Sequence, residues 1–168
     1  MKIPIESEPV IYLDFDGVLF PFDNPAACEK PQFEVLRINL VSGYMPEVVE
    51  RLVHLDVETV WCTSRSQREM NELTVAMQSL RGIRSLLPHP APNKSRMQSK
   101  LDVIVRDQLY KPRPFAWVDD QINGAIGRAV ELELSNTPHI LIQPKRTVGI
   151  DEHALRDLEN FKNEHSVR

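Results

Sequence analysis

Two aspartates, Asp14 and Asp16, stand one residue apart at the end of the uncharged run Pro9-Val10-Ile11-Tyr12-Leu13, and Gly17 follows them. Carboxylates set beside a core are costly unless a cation compensates them. The glycine marks a sharp turn or a close backbone approach. Alone, the Asp-Phe-Asp-Gly stretch reads as an ordinary turn leaving a strand. Two further strand-like runs make it informative, because they also stop at reactive residues: Val57–Cys62 at Thr63-Ser64-Arg65, and Phe115–Val118 at Asp119-Asp120. If these ends meet, up to four carboxylates and a hydroxyl share one small volume, and like charges that close raise one another's pKa unless a cation intervenes. An oxygen-only set with a few carboxylates suits Mg²⁺, which keeps several waters and partners phosphate. The five histidines (His54, His89, His139, His153, His165) and the two cysteines (Cys28, Cys62) show no zinc-ligand spacing.

The elements that would position these residues alternate. Pro9–Leu13, Val57–Cys62, Ile83–Leu87, Phe115–Val118 and His139–Ile142 read as five strands, the first and fourth buried. Between them lie helical patterns: Met45 to Val53 with Pro46 in the first turn, a helix opened by the capping-box pair Ser66 and Glu69 that turns Met70, Leu73, Met77 and Leu80 inward, Ser95 to Leu109, Ile122 to Val130, and a last helix capped by Asp151. The chain from Asn163 is expected to fray. Residues 19 to 42 combine turn chemistry around Pro21 and Pro25 with alternation at Leu36, Ile38 and Leu40, which suits either a hairpin-like flap over the end of the first strand or a surface loop. Strand–helix alternation predicts an α/β three-layer sandwich, a five-stranded mostly parallel sheet covered on both faces. In such a sheet ligands bind just outside the strand carboxyl ends.

Bulk composition bounds the class. The 168 residues fit a single domain spanning 1–168, with a C-terminal helix over about 151–163. Apolar residues make up 42% and charged ones 26%, as in an ordinary globular chain, and no apolar run has membrane-span length. Two cysteines are too few for a disulfide framework, and the first residues carry no signal-peptide pattern, so a cytoplasmic location is expected. A net charge of −4 argues against indiscriminate nucleic-acid binding while leaving room for a local basic patch.

Four parts in order, Asp14-Phe15-Asp16-Gly17-Val18, the strand ending at Thr63, a lysine ahead of the fourth strand, and Asp119-Asp120, resemble the haloacid dehalogenase-like (HAD) superfamily from about Val10 to Ile142. Within it, Lys100 to Asp120, with Arg113-Pro114-Phe115-Ala116-Trp117-Val118, is similar to the HAD domain associated with Swiss Army Knife RNA repair proteins. The resemblance implies a Rossmann-like HAD fold and a Mg²⁺-dependent phosphatase with an aspartyl-phosphate intermediate. Asp14 would be the nucleophile and Asp16 the general acid–base, its main-chain carbonyl also binding the metal. Asp119 would be the direct ligand and Asp120 its outer partner, or the reverse; Asp120 suits an N-cap of the next helix equally well. Thr63 would bind the transferred phosphoryl group, with Phe15, Gly17 and Ser64 around it. Arg65 would reach substrate or lie solvated at the surface. The required cation is Lys100, with Lys94 the alternative, and either also reads as an ordinary surface lysine.

The segments between motifs leave no room for a cap domain, and by analogy a capless site accepts large substrates such as RNA or DNA ends, with Phe20, Phe22 and Asn24 of the flap helping to define them. No membrane and no obligate protein partner are implied. The competing reading is a catalytically silent HAD-like or receiver-like module that binds Mg²⁺ and phosphate, or a partner, for regulation; Asp16 speaks against it, since a stable regulatory aspartyl-phosphate needs no acid–base residue.

Overall fold

A computed structural model describes residues 8–21, 34–38, 40–44, 46–76, 83–88 and 92–166. Among the described residues, seven strands and five helices run in the order β1 (Val10–Leu13), β2 (Glu34–Ile38), β3 (Leu40–Tyr44), α1 (Pro46–His54), β4 (Glu58–Cys62), α2 (Gln67–Ala76), β5 (Arg84–Leu86), α3 (Arg96–Tyr110), β6 (Phe115–Val118), α4 (Gly124–Leu134), β7 (His139–Ile142) and α5 (Glu152–His165). Five strands form one sheet in the order β5-β4-β1-β6-β7. Every pairing in it is parallel, with Leu13 level with both Trp61 and Val118. The chain builds outward from β1 through β4 to β5, then returns to the other side of β1 for β6 and β7. The order therefore reverses at β1, and the carboxyl ends of β1 and its neighbours form the crevice where such sheets bind ligands.

Strand alternation divides the core into two layers. Ile11, Leu13, Trp61, Ala116 and Val118 face α1, α2 and α5, meeting Val49, Leu52, Met70, Leu73, Leu155 and Leu158. Val10, Tyr12, Val60, Cys62, Phe115 and Trp117 face α3 and α4, meeting Met97, Leu101, Ile104, Ile126 and Val130. Apolar side chains cover both faces, so the central strands carry uninterrupted apolar runs, as a doubly covered parallel sheet requires.

The flap expected over 19–42 takes the hairpin form: β2 and β3 pair antiparallel from Glu34–Tyr44 to Ile38–Leu40 as a separate two-stranded sheet, with β2 beside α2. The hairpin thus runs two residues past the expected boundary. Phe22 and Asn24 lie outside the described residues. Phe20 is buried and stacks on Phe15, centroids 4.3 Å apart, so it serves the core rather than a substrate surface.

The capping box forms as read: Ser66 N–H donates to Glu69 Oε2 at 2.8 Å, and Glu69 N–H to Ser66 Oγ at 3.3 Å. Asp151 caps α5 by accepting from Ala154 N–H at 2.9 Å. Two expectations change. Asn123, not Asp120, caps α4, accepting from the N–H groups of Ala125 and Ile126, because the chain makes one more turn after β6 before the helix begins. The last helix does not fray at Asn163 but continues to His165, where the imidazole packs against Phe161 and Ser166 N–H caps Lys162 O. Among the described residues no helix is long and apolar enough to cross a membrane.

Candidate active site

Strand parity places the acidic residues before any contact does. Tyr12 and Trp117 face the α3 layer, so the next residues of the same parity, Asp14 and Asp119, emerge on that side at the carboxyl ends of β1 and β6. The parallel ladder continues beyond the strands, Asp14 N–H donating to Val118 O at 3.0 Å and Asp119 N–H to Ile142 O at 3.1 Å. On α3, Met97, Leu101 and Ile104 mark the inward stripe, and Lys100 falls within it at helical spacing. A lysine in that position must meet an anion.

It meets two. Lys100 Nζ donates to Asp14 Oδ2 and to Asp119 Oδ2, each at 2.6 Å. Asp14 is 3% exposed, Lys100 2% and Asp119 0%, so the triad lies in a medium where an unpaired charge would cost several kcal/mol. Burial pulls the Lys100 ammonium down, yet the two carboxylates outweigh it and hold its pKa above the ordinary lysine range. Burial pushes Asp14 up to about 6, with the Lys100 charge opposing and the Asp119 charge assisting. Asp119 is raised by burial against the opposing pull of Lys100.

The remaining oxygens are unequally used. Asp119 Oδ1 accepts from Gln121 N–H at 2.9 Å, so both of its oxygens are engaged. Asp14 Oδ1 and Asp120 Oδ1 are buried with no hydrogen-bond partner. One carboxylate oxygen from each of Asp14, Asp119 and Asp120 lies within 4.8 Å of the others. Burial raises the Asp120 pKa and the Asp14 charge adds to it, while Arg146 opposes. Two orphaned, inward anionic oxygens on converging carboxylates are what a hard divalent cation satisfies, and the all-oxygen set suits Mg²⁺. The charge balance agrees. Four carboxylates (Asp14, Asp16, Asp119, Asp120) face three cations (Lys100, Arg65, Arg146), which leaves the site net negative and suited to a divalent cation.

Two glycines have φ of +75°, Gly17 in the loop after β1 and Gly149 in the segment after β7. At Gly17 a Cβ would lie 2.5 Å from Asp120 Cγ, so only glycine lets the acidic loops after β1 and β6 touch. Leu19 and Phe20 N–H groups converge on Phe15 O, closing a tight turn. Ile150 N–H donates to Val18 O at 2.9 Å, and a Cβ on Gly149 would collide with that same oxygen. The segment after β7 is thereby pressed against the turn that carries Asp16.

Thr63 is fully buried at the end of β4, and its hydroxyl accepts from Arg65 N–H at 3.3 Å; Ser64 beside it is exposed. Arg65 is neither solvated nor pointing into open space. Its guanidinium forks onto Asp16, Nε to Oδ2 at 2.8 Å and Nη2 to Oδ1 at 2.5 Å, and lies over the Phe15 ring at 5.7 Å. Burial works against its charge, but Asp16 more than compensates and its pKa stands raised. Lys94 is placed elsewhere: it pairs with Asp102 at the surface, leaving Lys100 as the lysine between the aspartates. Phe15 is buried between Phe20 and Trp61, so its side chain supports the turn and only its main chain can face a ligand. Burial pushes the Cys62 thiol up, which removes it as a competing nucleophile. Arg146 went unread in the sequence; it stands on the loop after β7 with Nε 3.7 Å from Asp120 Oδ2.

A model of the HAD domain in Swiss Army Knife RNA repair proteins matches residues 10–155. Neither the curated proteins nor the solved structures give a match. The matched span runs from the first residue of β1 into α5 and contains every residue of the cluster just described. The chain belongs to the family of HAD domains found in Swiss Army Knife RNA repair proteins.

Proposed function

We propose that this protein is a Mg²⁺-dependent phosphomonoesterase that passes a phosphoryl group through Asp14 to water. The observation that carries the reading is the buried Lys100 clamp. It fixes Asp14 through Oδ2 and leaves Oδ1 without a partner beside the equally unpartnered Asp120 Oδ1. Asp14 and Asp120 would hold the ion directly. Asp119, whose oxygens are spent on Lys100 and Gln121, would anchor the lysine and reach the ion from outside, the reverse of the order favoured by the sequence. The chemistry such an ion supplies when bound is neutralisation and alignment of the phosphoryl oxygens.

The residues would act in two steps. A carboxylate oxygen of Asp14 forms a bond to phosphorus as the bond to the leaving oxygen breaks, and Asp16 gives that oxygen its proton. A water then attacks the same phosphorus, Asp16 takes its proton, and the Asp14 carboxylate is regenerated with inorganic phosphate. Lys100 spreads positive charge toward the equatorial oxygens, where most of the catalytic stabilisation of phosphoryl transfer arises. Thr63 and the exposed main chain at Ser64 would bind the same oxygens. Arg65 holds Asp16 at the mouth of the site. An arriving phosphate competes for that guanidinium, and the exchange releases the carboxyl for proton transfer.

The family's name refers to RNA repair, and on that ground RNA or DNA ends are the class of phosphorylated substrate that we favour. The silent-module reading has one observation on its side, the tight Arg65–Asp16 fork, which ties up the acid–base residue at rest. Hydrolysis of p-nitrophenyl phosphate separates the two. Mg²⁺-dependent turnover abolished by Asp14→Asn supports an enzyme; no turnover, or turnover unchanged in that variant, supports the silent module.

A further inference from the structure

The segment after β7 is a second rim of the site, and nothing in the proposed chemistry requires it. Three contacts seat it on both acidic loops. Gln143 Nε2 donates to Asp120 O at 3.1 Å, Ile150 N–H donates to Val18 O, and Gly149 lies against that same Val18 carbonyl. Within the segment, the N–H groups of Val148 and Gly149 both donate to Lys145 O at 2.8 Å, closing a compact turn. A turn fixed this firmly nevertheless presents Gln143, Lys145, Arg146 and Thr147 to solvent. Arg146 faces the site. Its side chain is 53% exposed and its Nε stands 3.7 Å from Asp120 Oδ2, beyond hydrogen-bond length. The Asp120 side chain that it approaches is itself only 3% exposed.

We propose that Arg146 is the anchor of a subsite for a second, non-transferred phosphate on the substrate. The inference rests on the phosphatase reading of the site and adds what lies next to the reacting group. The reacting phosphoryl group is served by Lys100, Thr63 and the acidic cluster, deep at the ends of β1, β4 and β6. Arg146 stands outside them on the β7 side, where the guanidinium fork matches a phosphodiester or a second monoester. Lys145, its exposed neighbour, adds positive charge to the same rim of a chain whose overall charge is −4. The ligand chemistry is a phosphate adjacent to the scissile monoester, supplied by a phosphorylated polynucleotide end or by a small bisphosphate.

The test compares p-nitrophenyl phosphate, a small sugar bisphosphate, a 3′- or 5′-phosphorylated oligonucleotide and a phosphopeptide, using wild type, Arg146→Gln and Arg146→Lys. With Arg146→Gln, kcat/KM for the substrates bearing a second phosphate should fall about tenfold further than for p-nitrophenyl phosphate, mainly through KM. Arg146→Lys should restore part of that loss. For the oligonucleotide, the slope of log affinity against log salt should drop by about 0.7, one phosphate contact. The oligonucleotide and bisphosphate arms identify the source. Binding of each ligand to Asp14→Asn with and without Arg146→Gln, by fluorescence anisotropy or calorimetry, reads the subsite without turnover. No hydrolysis with Arg146-dependent binding would sink the phosphatase reading and keep the subsite. Equal losses on all four substrates, a loss confined to the phosphopeptide, or ligand binding indifferent to Arg146 would overturn the proposal.

Discussion

Replacing Gly17 with alanine tests whether the two acidic loops are built to touch. The residue sits at φ +75°, where an L side chain costs about 1–2 kcal/mol, and its Cβ would lie 2.5 Å from Asp120 Cγ and 2.6 Å from Oδ2. Ordinary contact begins at about 3.4 Å, so the Asp120 carboxylate must retreat by roughly 1 Å. The backbone strain alone should lower Tm by about 2–8 °C in a chain of this size, measured by calorimetry in EDTA. A displacement of that size in a positioned group can cost about 10²-fold in rate, and here it should also raise the Mg²⁺ concentration at half-maximal activity. A double-mutant cycle isolates the contact. In an Asp120→Ala background the Cγ and Oδ2 overlaps are gone, so Gly17→Ala should lose less stability there, with a coupling of about 1 kcal/mol. Wild-type Mg²⁺ dependence in Gly17→Ala, together with additive stability losses, would refute this account of the loop.

Three other perturbations follow from the same geometry. Lys100→Met strips the counter-charge from two buried carboxylates, so stability should fall by about 3–5 kcal/mol in urea, with activity lost and added Mg²⁺ recovering part of the stability; an unchanged urea midpoint would contradict the triad. The Asp14 carboxyl, at about 6 in the fold against an ordinary value near 4, is more protonated folded than unfolded. Its favourable contribution is present below its unfolded pKa and lost as pH rises through about 6, so metal-free protein should lose roughly 1–2 kcal/mol between pH 5 and 7.5. Asp14→Asn should show a shallower slope, the raised Asp119 and Asp120 carboxyls keeping the remainder, and an identical slope in both proteins would count against it. Tyr12→Phe removes the hydroxyl that donates to Asp107 at 2.7 Å and accepts from Gln108 at 2.9 Å, on the same core face as Asp14. It should cost about 1–2 kcal/mol in thermal or urea unfolding with kcat retained; a collapse of kcat would show that this network reaches the chemistry.

The sheet was legible because its central strands are buried on both faces. Runs such as Val10–Leu13 and Phe115–Val118 have no polar residue until the chain leaves the core, and the acids there mark the crevice directly. Helix starts were legible where the cap is local, as at Ser66 and Asp151. Asp120 misled as a cap because the length of the turn before α4 depends on how the loop meets Gly17, a contact about a hundred residues away in sequence. Lys100 carried a signal stronger than its spacing to Asp119: it lies in the apolar stripe of α3 with Met97, Leu101 and Ile104, whereas Lys94 precedes the helix. Arg65 and Arg146 could not be placed from sequence. Each has a partner from a different strand end, and an arginine beside a turn reads as solvated until the fold supplies its carboxylate. The inequality between Asp119 and Asp120 was equally hidden, since it depends on which oxygens Lys100 and Gln121 N–H already occupy.

The most direct measurement is the mass of the protein quenched in acid during turnover of a phosphate monoester with Mg²⁺, followed by peptide mapping. One phosphoryl group on the peptide carrying Asp14, absent in Asp14→Asn and absent with EDTA, is the predicted result. Phosphate release with no protein-bound phosphoryl group, or with the label on any other residue, would contradict the assignment of Asp14 as the attacking carboxylate.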